Sequence, residues 1–302
     1  MLASSYATLA RQPRLVVFPL LALGTGTLIG LCFLVALLNL PSGHALWDAV
    51  SQWRTLPEKI DHWRIALHTT GHANPPLFRP WSNAGYLYFV GLYLVSMFIT
   101  TFLNVSLYSQ VIKALAGESV SVAGGLRFGL KRIRSVMVWS LFAGTVGLLL
   151  QKLEQRLGLF GKLGLNLFGT MWSVACIFVI PVIIREDNSN PLSLIRNSAA
   201  TIRKTWGEVL VGFAGITIGS FLVVFAWSAL VLELALLSKH TPYAGLVPLI
   251  GLIWLLAVVA WLCVTRLANA IFRCALYVYA TEGVVPEPYT VDLMDTAWKV
   301  KK

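Results

Sequence analysis

Residues 15–40 read LVVFPLLALGTGTLIGLCFLVALLNL, 26 positions without a charged side chain. An α-helix rises about 1.5 Å per residue, so about 20 apolar residues cross a hydrocarbon core about 30 Å thick. The stretch is long enough to cross. It lacks the in–out alternation of a barrel strand, and lipid offers no water to an unpaired backbone, so it reads as a transmembrane helix. Arg11 and Arg14 ahead of it imitate the start of a secretory signal. A signal's apolar core, however, spans only about 7–15 residues. The expectation is an uncleaved first span.

The same pattern recurs along the chain in Pro80–Ile112, Ser135–Gln151, Leu163–Ile184, Val209–Leu232 and His240–Thr265. Ser135–Gln151 is the shortest, and Ile133 with a snorkelling Arg134 extends it. Composition agrees: 57% of the chain is hydrophobic and 12% charged, against about 25% charged in soluble domains. Mean hydropathy is +0.73. The reading is an all-α polytopic membrane helix bundle, a single membrane domain over 1–302 with six transmembrane helices. The spans fall at about 15–40, 84–112, 133–151, 163–184, 208–236 and 245–266.

The net charge of +11 is read through its distribution. With both termini on the cytoplasmic side, two-thirds of the 24 Lys and Arg lie on that side, as the positive-inside rule requires of an N-in/C-in protein. Attraction to anionic lipid headgroups, about 1 kcal/mol per basic residue near the surface, accounts for the excess without nucleic acid as a partner. Two inner loops carry basic surface helices. Residues 119–134 place Val122, Leu126, Leu130 and Ile133 on one face, with Arg127, Lys131 and Arg134 opposite. Residues 190–206 start at an Asn190 N-cap with Pro191 at the first helical position. Ile195, Ala199, Ile202 and Trp206 then oppose Arg196 and Arg203. The shared plan of span, basic helix, span hints at an internal repeat, as transporters have. Residues 41–83 form an outer insertion whose Trp47, Trp53, Trp63 and Trp81 suit the headgroup level. The last helical pattern runs on past Arg266 to about Thr281, longer than the bilayer needs.

Several motifs then resemble a known family. They are Gly117…Trp139…Thr145-Val146-Gly147…Glu154…Arg156, then Trp172…Pro181-Val182…Glu186 and Ser198…Thr205-Trp206-Gly207-Glu208, and the ending Leu276-Tyr277-Val278-Tyr279-Ala280…Gly283…Pro286. Together they are similar to a bacterial family of integral membrane proteins with a domain of unknown function, over about residues 86–289. The resemblance implies a six-span, multi-pass protein of the bacterial cytoplasmic (inner) membrane, and implies no catalytic residue.

Candidate chemistry is sparse. His68 and His72 are four apart, but Gly71 between them and Pro75-Pro76 after them argue against one helical face, so no metal is expected. The four cysteines lie in or at the ends of spans and form no CxxC pair. Glu208 and Glu233 sit near the ends of the fifth span, too shallow for a proton relay. No nucleophile elbow, phosphate loop or dinucleotide fingerprint occurs, so neither a cofactor nor an enzymatic activity is expected. Arg266, Asn269 and Arg273 follow an i, i+3, i+7 pattern that suits a lipid headgroup or an anion at the inner leaflet. Gly26 and Gly30, and Gly215 and Gly219, permit close helix packing within the chain or in a homo-oligomer. Pro181 is expected to kink the fourth span. These features favour a non-catalytic scaffold or accessory subunit with a membrane-protein partner. The alternative is a transport-type or pore-forming module for ions, small solutes or lipid.

Overall fold

The structure, a computed structural model, describes residues 2–39, 83–156, 159–186, 188–204, 224–225, 227–229, 233, 247–287 and 289. It is 89% helical, with no strand among the described residues. Five stretches there are long and apolar enough to cross a membrane: Pro13–Val35, Leu87–Leu115, Ile133–Glu154, Gly164–Arg185 and Leu249–Glu282. They fall on five of the six expected spans, and the protein is an all-α, multi-pass membrane protein. The expected span at 208–236 lies almost wholly outside the described residues. So do the insertion 41–83 but for Asn83, the five histidines, Gly215, Gly219, Trp206 and Glu208.

In chain order the elements are α1 (Leu2–Arg11), a 3-10 turn (Pro13–Val16), α2 (Val17–Asn39), α3 (Asn83–Leu115) and α4 (Val122–Lys131). α5 (Ile133–Arg156), α6 (Leu159–Ala175), α7 (Val179–Arg185), α8 (Pro191–Lys204) and α9 (Val247–Glu282) follow. Residues 1–22 with 100–302, and residues 23–99, form two compact units. In the smaller, the Tyr88 hydroxyl donates to the Cys32 carbonyl at 3.1 Å, and Phe33 and Phe89 pack with ring centroids 4.8 Å apart.

In the larger unit α9 has two unlike halves. From Leu249 to Leu262 its leucines and isoleucines are exposed, Leu256 by 61%, as a lipid-facing surface should be. From Leu267 to Val278 the helix is buried almost continuously. α3 likewise turns inward from Leu103, and Val105, Tyr108 and Val111 join the same core. The changeover on α9 falls at Arg266, about 28 Å along the helix, or one hydrocarbon thickness. Beyond it α9 continues to Glu282, as the long pattern led one to expect. Gly117 and Gly283, both at positive φ, end α3 and α9 in the left-handed conformation that a Cβ disfavours.

The core at this end is closed by short elements. α1, which apolar periodicity does not announce, packs on α9 through buried Ser5 and Thr8. Ser5 Oγ and Tyr289 Oη are 2.7 Å apart, and Leu15 in the 3-10 turn and Phe18 just after it are buried. α4 differs from expectation. Its bounds are narrower than 119–134, and it packs through glycine rather than its apolar stripe: Gly125 and Gly129 are buried while Leu130 is 59% exposed. A Cβ at 125 would stand 2.7 Å from Phe18 Cζ and 2.8 Å from the Ser106 carbonyl oxygen, so no larger residue lets α4 lie this close. The apolar stripe is thereby left for lipid.

α8 begins as read: Asn190 Oδ1 accepts from the Leu192 amide at 3.1 Å. Its packed stripe is Leu194, Ser198, Thr201 and Ile202: Ile202 is buried as expected, but Leu194 and Ser198 take the inward places expected of Ile195 and Ala199. The reason lies in the fourth span. Pro181 has no N–H, and its ring crowds the carbonyl four residues back. The span breaks there, between α6 and α7, at residues 176–178. The break frees the Phe178 amide, and Ser198 Oγ accepts from it at 3.1 Å with both residues fully buried. A buried amide needs a partner, so the serine rather than the neighbouring alanine faces inward.

Candidate functional site

The changeover from lipid-exposed to buried helix is where the polar side chains of α9 gather. Arg266 is exposed, and Thr265, Asn269 and Arg273 are half-buried. α3 faces them with Asn104 and Tyr108, four residues apart and so on one side of their helix. Arg266 Nη2 donates to Asn104 Oδ1 at 3.4 Å, and the Arg273 guanidinium hydrogen-bonds the Tyr108 hydroxyl. Cys274 Sγ lies 4.0 Å from the Tyr108 carbonyl. The three contacts step forward together on both helices, so α3 and α9 run in the same direction here.

The two arginines are held unequally. A charge-assisted N–H···O bond ordinarily spans about 2.7–2.9 Å, so the 3.4 Å contact of Arg266 is weak. The guanidinium has five N–H donors in a planar fork suited to phosphate or carboxylate. Beside it Thr265 Oγ1 and Asn269 Oδ1 are buried without a hydrogen-bond partner among the described residues. A buried polar atom left so costs about 1–3 kcal/mol, which a guest with both a donor and an anionic acceptor would recover. The arrangement can bind such a guest at the level of the lipid headgroups. It contains no nucleophile and base in contact.

Arg266, Asn269 and Arg273, singled out from their spacing, are thus brought to one face. Their partners Asn104 and Tyr108 were missed. The available signal was the density of Asn104, Ser106, Tyr108, Ser109 and Gln110 at the end of an otherwise apolar run. Among the described residues, nothing lies within 4 Å of where a Cβ at Gly26 or Gly30 would point. Among the described residues no three His, Cys, Asp or Glu side chains cluster as a metal would need.

A second polar group ties the basic end together. Arg185 pairs with Glu282, joining α7 to α9, and Asn197 Nδ2 donates to Glu186 Oε2 at 2.7 Å, joining α8 to the end of α7. Arg127 and Lys131 of α4, Arg134 at the start of α5, and Arg196 and Arg203 of α8 are exposed around it. Tyr289 lies in the same core, 6% exposed. Burial pushes its phenol up to about 12, against a smaller opposing effect of the Ser5 hydrogen bond.

The sequence of residues 83–286, from α3 to the end of α9, matches a family of unknown function (DUF6159). No curated protein and no solved structure matches the chain.

Proposed function

The chain belongs to the DUF6159 family, and on that footing we propose that it is a non-catalytic scaffold or accessory subunit of an assembly in the bacterial inner membrane. In this reading it lies N-in/C-in, and Arg266, Asn269 and Arg273 hold the headgroup of an anionic phospholipid of the inner leaflet. The observation that carries the lipid contact is the exposed, weakly held Arg266 beside Thr265 Oγ1 and Asn269 Oδ1, which have no hydrogen-bond partner among the described residues, one hydrocarbon thickness along α9. The exposed cations of α4 and α8 support it, since they surround the same end with positive charge. The scaffold role rests on the α2 glycines, which among the described residues are left open for a second copy or a partner helix.

Native mass spectrometry of the full chain, extracted in mild detergent, tests both parts. The expected result is a complex with a second protein or a second copy, carrying anionic in preference to zwitterionic phospholipid. Arg266→Ala should lower the lipid occupancy about tenfold, the scale of one charge-assisted contact. A bare monomer sinks the scaffold reading. Lipid occupancy unchanged in Arg266→Ala sinks the headgroup site.

The break at residues 176–178 favours a second reading, a transport-type module, because a proline-broken span can hinge. That reading expects flux of ions, small solutes or labelled lipid into proteoliposomes. Rates equal to empty liposomes across such a panel would remove it.

A further inference from the structure

α5 and α6 pack against each other, and α5 leads away from the basic helix α4 that precedes it, to end at Arg156. Between them is a groove of about 540 Å³ lined by Gln151 and Glu154 from α5 and by Asn166, Thr170 and Ser173 from α6. The α6 residues recur at i, i+4 and i+7 and so form one stripe. Leu167, Phe168 and Met171 occupy the other side of α6, exposed as lipid-facing residues are, Met171 by 70%. A polar stripe and an apolar stripe therefore run side by side along one transmembrane helix.

The polar stripe goes deep. Ser173 lies nine residues past the start of the apolar stretch Gly164–Arg185. That is about 14 Å, near the middle of a hydrocarbon core of about 30 Å. Gly147 and Gly169 also line the groove and leave it room. At its deep end Trp172 stacks on Trp139, with centroids 6.4 Å apart and planes at 10°, and Phe142 packs against the same ring.

The contents follow from the hydrogen bonds. Thr170 and Ser173 hydroxyls donate to the carbonyls four residues back, at 2.9 Å each, and keep their lone pairs for a guest. Gln151, Glu154 and Asn166 are exposed side chains with no side-chain partner among the described residues. An amide surrounded by hydrocarbon costs about 2–7 kcal/mol without a hydrogen bond, so acyl chains are a poor filling for this groove. Polar residues within spans ordinarily face a protein interior or a water-filled cavity. The volume far exceeds the minimum of about 10–15 Å³ that one water needs.

We propose that the α5–α6 groove is a water-filled vestibule. It opens at the end opposite the basic helices, reaches the middle of the bilayer, and receives small, uncharged, hydrogen-bonding solutes of hydroxyl or amide type. Glu154 is the charged residue of the lining, and the rest of its polar lining is amide and hydroxyl, which suits uncharged guests; Lys152 and Arg156 are exposed on α5 but do not line the groove. The Trp139–Trp172 stack closes the deep end. This inference is independent of the lipid contact at Arg266 and of the scaffold reading.

Cysteine accessibility tests it. In a full-length protein with Cys32, Cys176, Cys263 and Cys274 replaced by alanine, Thr170→Cys, Ser173→Cys and Met171→Cys are introduced singly. Each is treated, in membrane fragments open on both faces, with a charged, membrane-impermeant methanethiosulfonate. Thr170→Cys and Ser173→Cys should react at least tenfold faster than Met171→Cys, and glycerol or urea at molar concentration should slow only those two. Denaturation should equalise all three, which shows that each thiol is intact. Rates within tenfold of Met171→Cys, or reaction with a membrane-permeant maleimide alone, overturn the vestibule. Fast reaction that neither glycerol nor urea slows overturns the solute site.

Discussion

Ser198 shows how one side chain sets the register of an element. Its hydroxyl is the partner of the amide that Pro181 frees, and both groups are fully buried. Ser198→Ala should lower stability by about 1–3 kcal/mol, the cost of a buried unsatisfied amide, although alanine is the better helix former. Unfolding in mixed micelles measures it, and a loss below about 0.5 kcal/mol would show that the amide has another partner. Pro181 was legible as a kink. The serine that heals the kink was not, because it is 17 positions away and looks like any polar helix residue. Glycine carries a similar lesson. Gly26 and Gly30 have the familiar spacing but open surroundings among the described residues, whereas Gly125 and Gly129, with the same spacing in a basic segment, hold the close approach. Gly125→Val should destabilise by about 1–3 kcal/mol through overpacking. Gly26→Val should leave the isolated chain within about 0.5 kcal/mol. If a second copy packs there, Gly26→Val disperses the dimer seen by cross-linking.

At the scale of elements, long apolar runs were easy to read and short polar helices were not. Length alone marks a span, because lipid leaves the backbone no alternative to a helix. The same logic exposed the overshoot of α9, whose pattern continues after its charge-free run ends. α1 gave no such signal: its buried face is Ser5 and Thr8, and what it docks on comes from the far end of the chain. That docking should be sensitive to alkali. The Tyr289 phenol is raised, by burial first, to about 12, above the ordinary tyrosine value of about 10. The neutral form is thus favoured when α1 is docked. Its contribution is fully present below pH about 10 and is lost as pH rises towards 12, since the undocked phenol ionises first. A spin-label distance between Ala10 and Val284 should lengthen over that window. In Tyr289→Phe it should be flat across the window and already broader at neutral pH, because the Ser5 bond is gone. A wild-type distance constant to pH 12 would show that Tyr289 does not hold α1.

For the whole molecule, hydropathy and charge supplied a plan of spans with one basic end, and five of those spans are found where expected. The division of α9 into a lipid-facing half and a packed half was only half legible. Composition distinguishes charged from apolar residues, but a leucine against lipid and a leucine against protein look the same. The leaflet assigned to the Arg266 site rests on which way round the molecule sits, and the exposed cations of α4 and α8 argue for the cytoplasm. A fluorescent protein that matures only in the cytoplasm, fused after Lys302, should be bright, and a phosphatase active only outside should be silent there. Fused after Arg156, at the end of α5, the two reporters should exchange behaviour, because α5 separates that position from the basic end. Replacing Arg127, Lys131, Arg134, Arg196 and Arg203 together by glutamine removes about 1 kcal/mol of surface attraction each. A mixed population of orientations should follow. Reporters reversed in the wild type would place Arg266 in the outer leaflet, and the cations of α4 and α8 would then need another explanation.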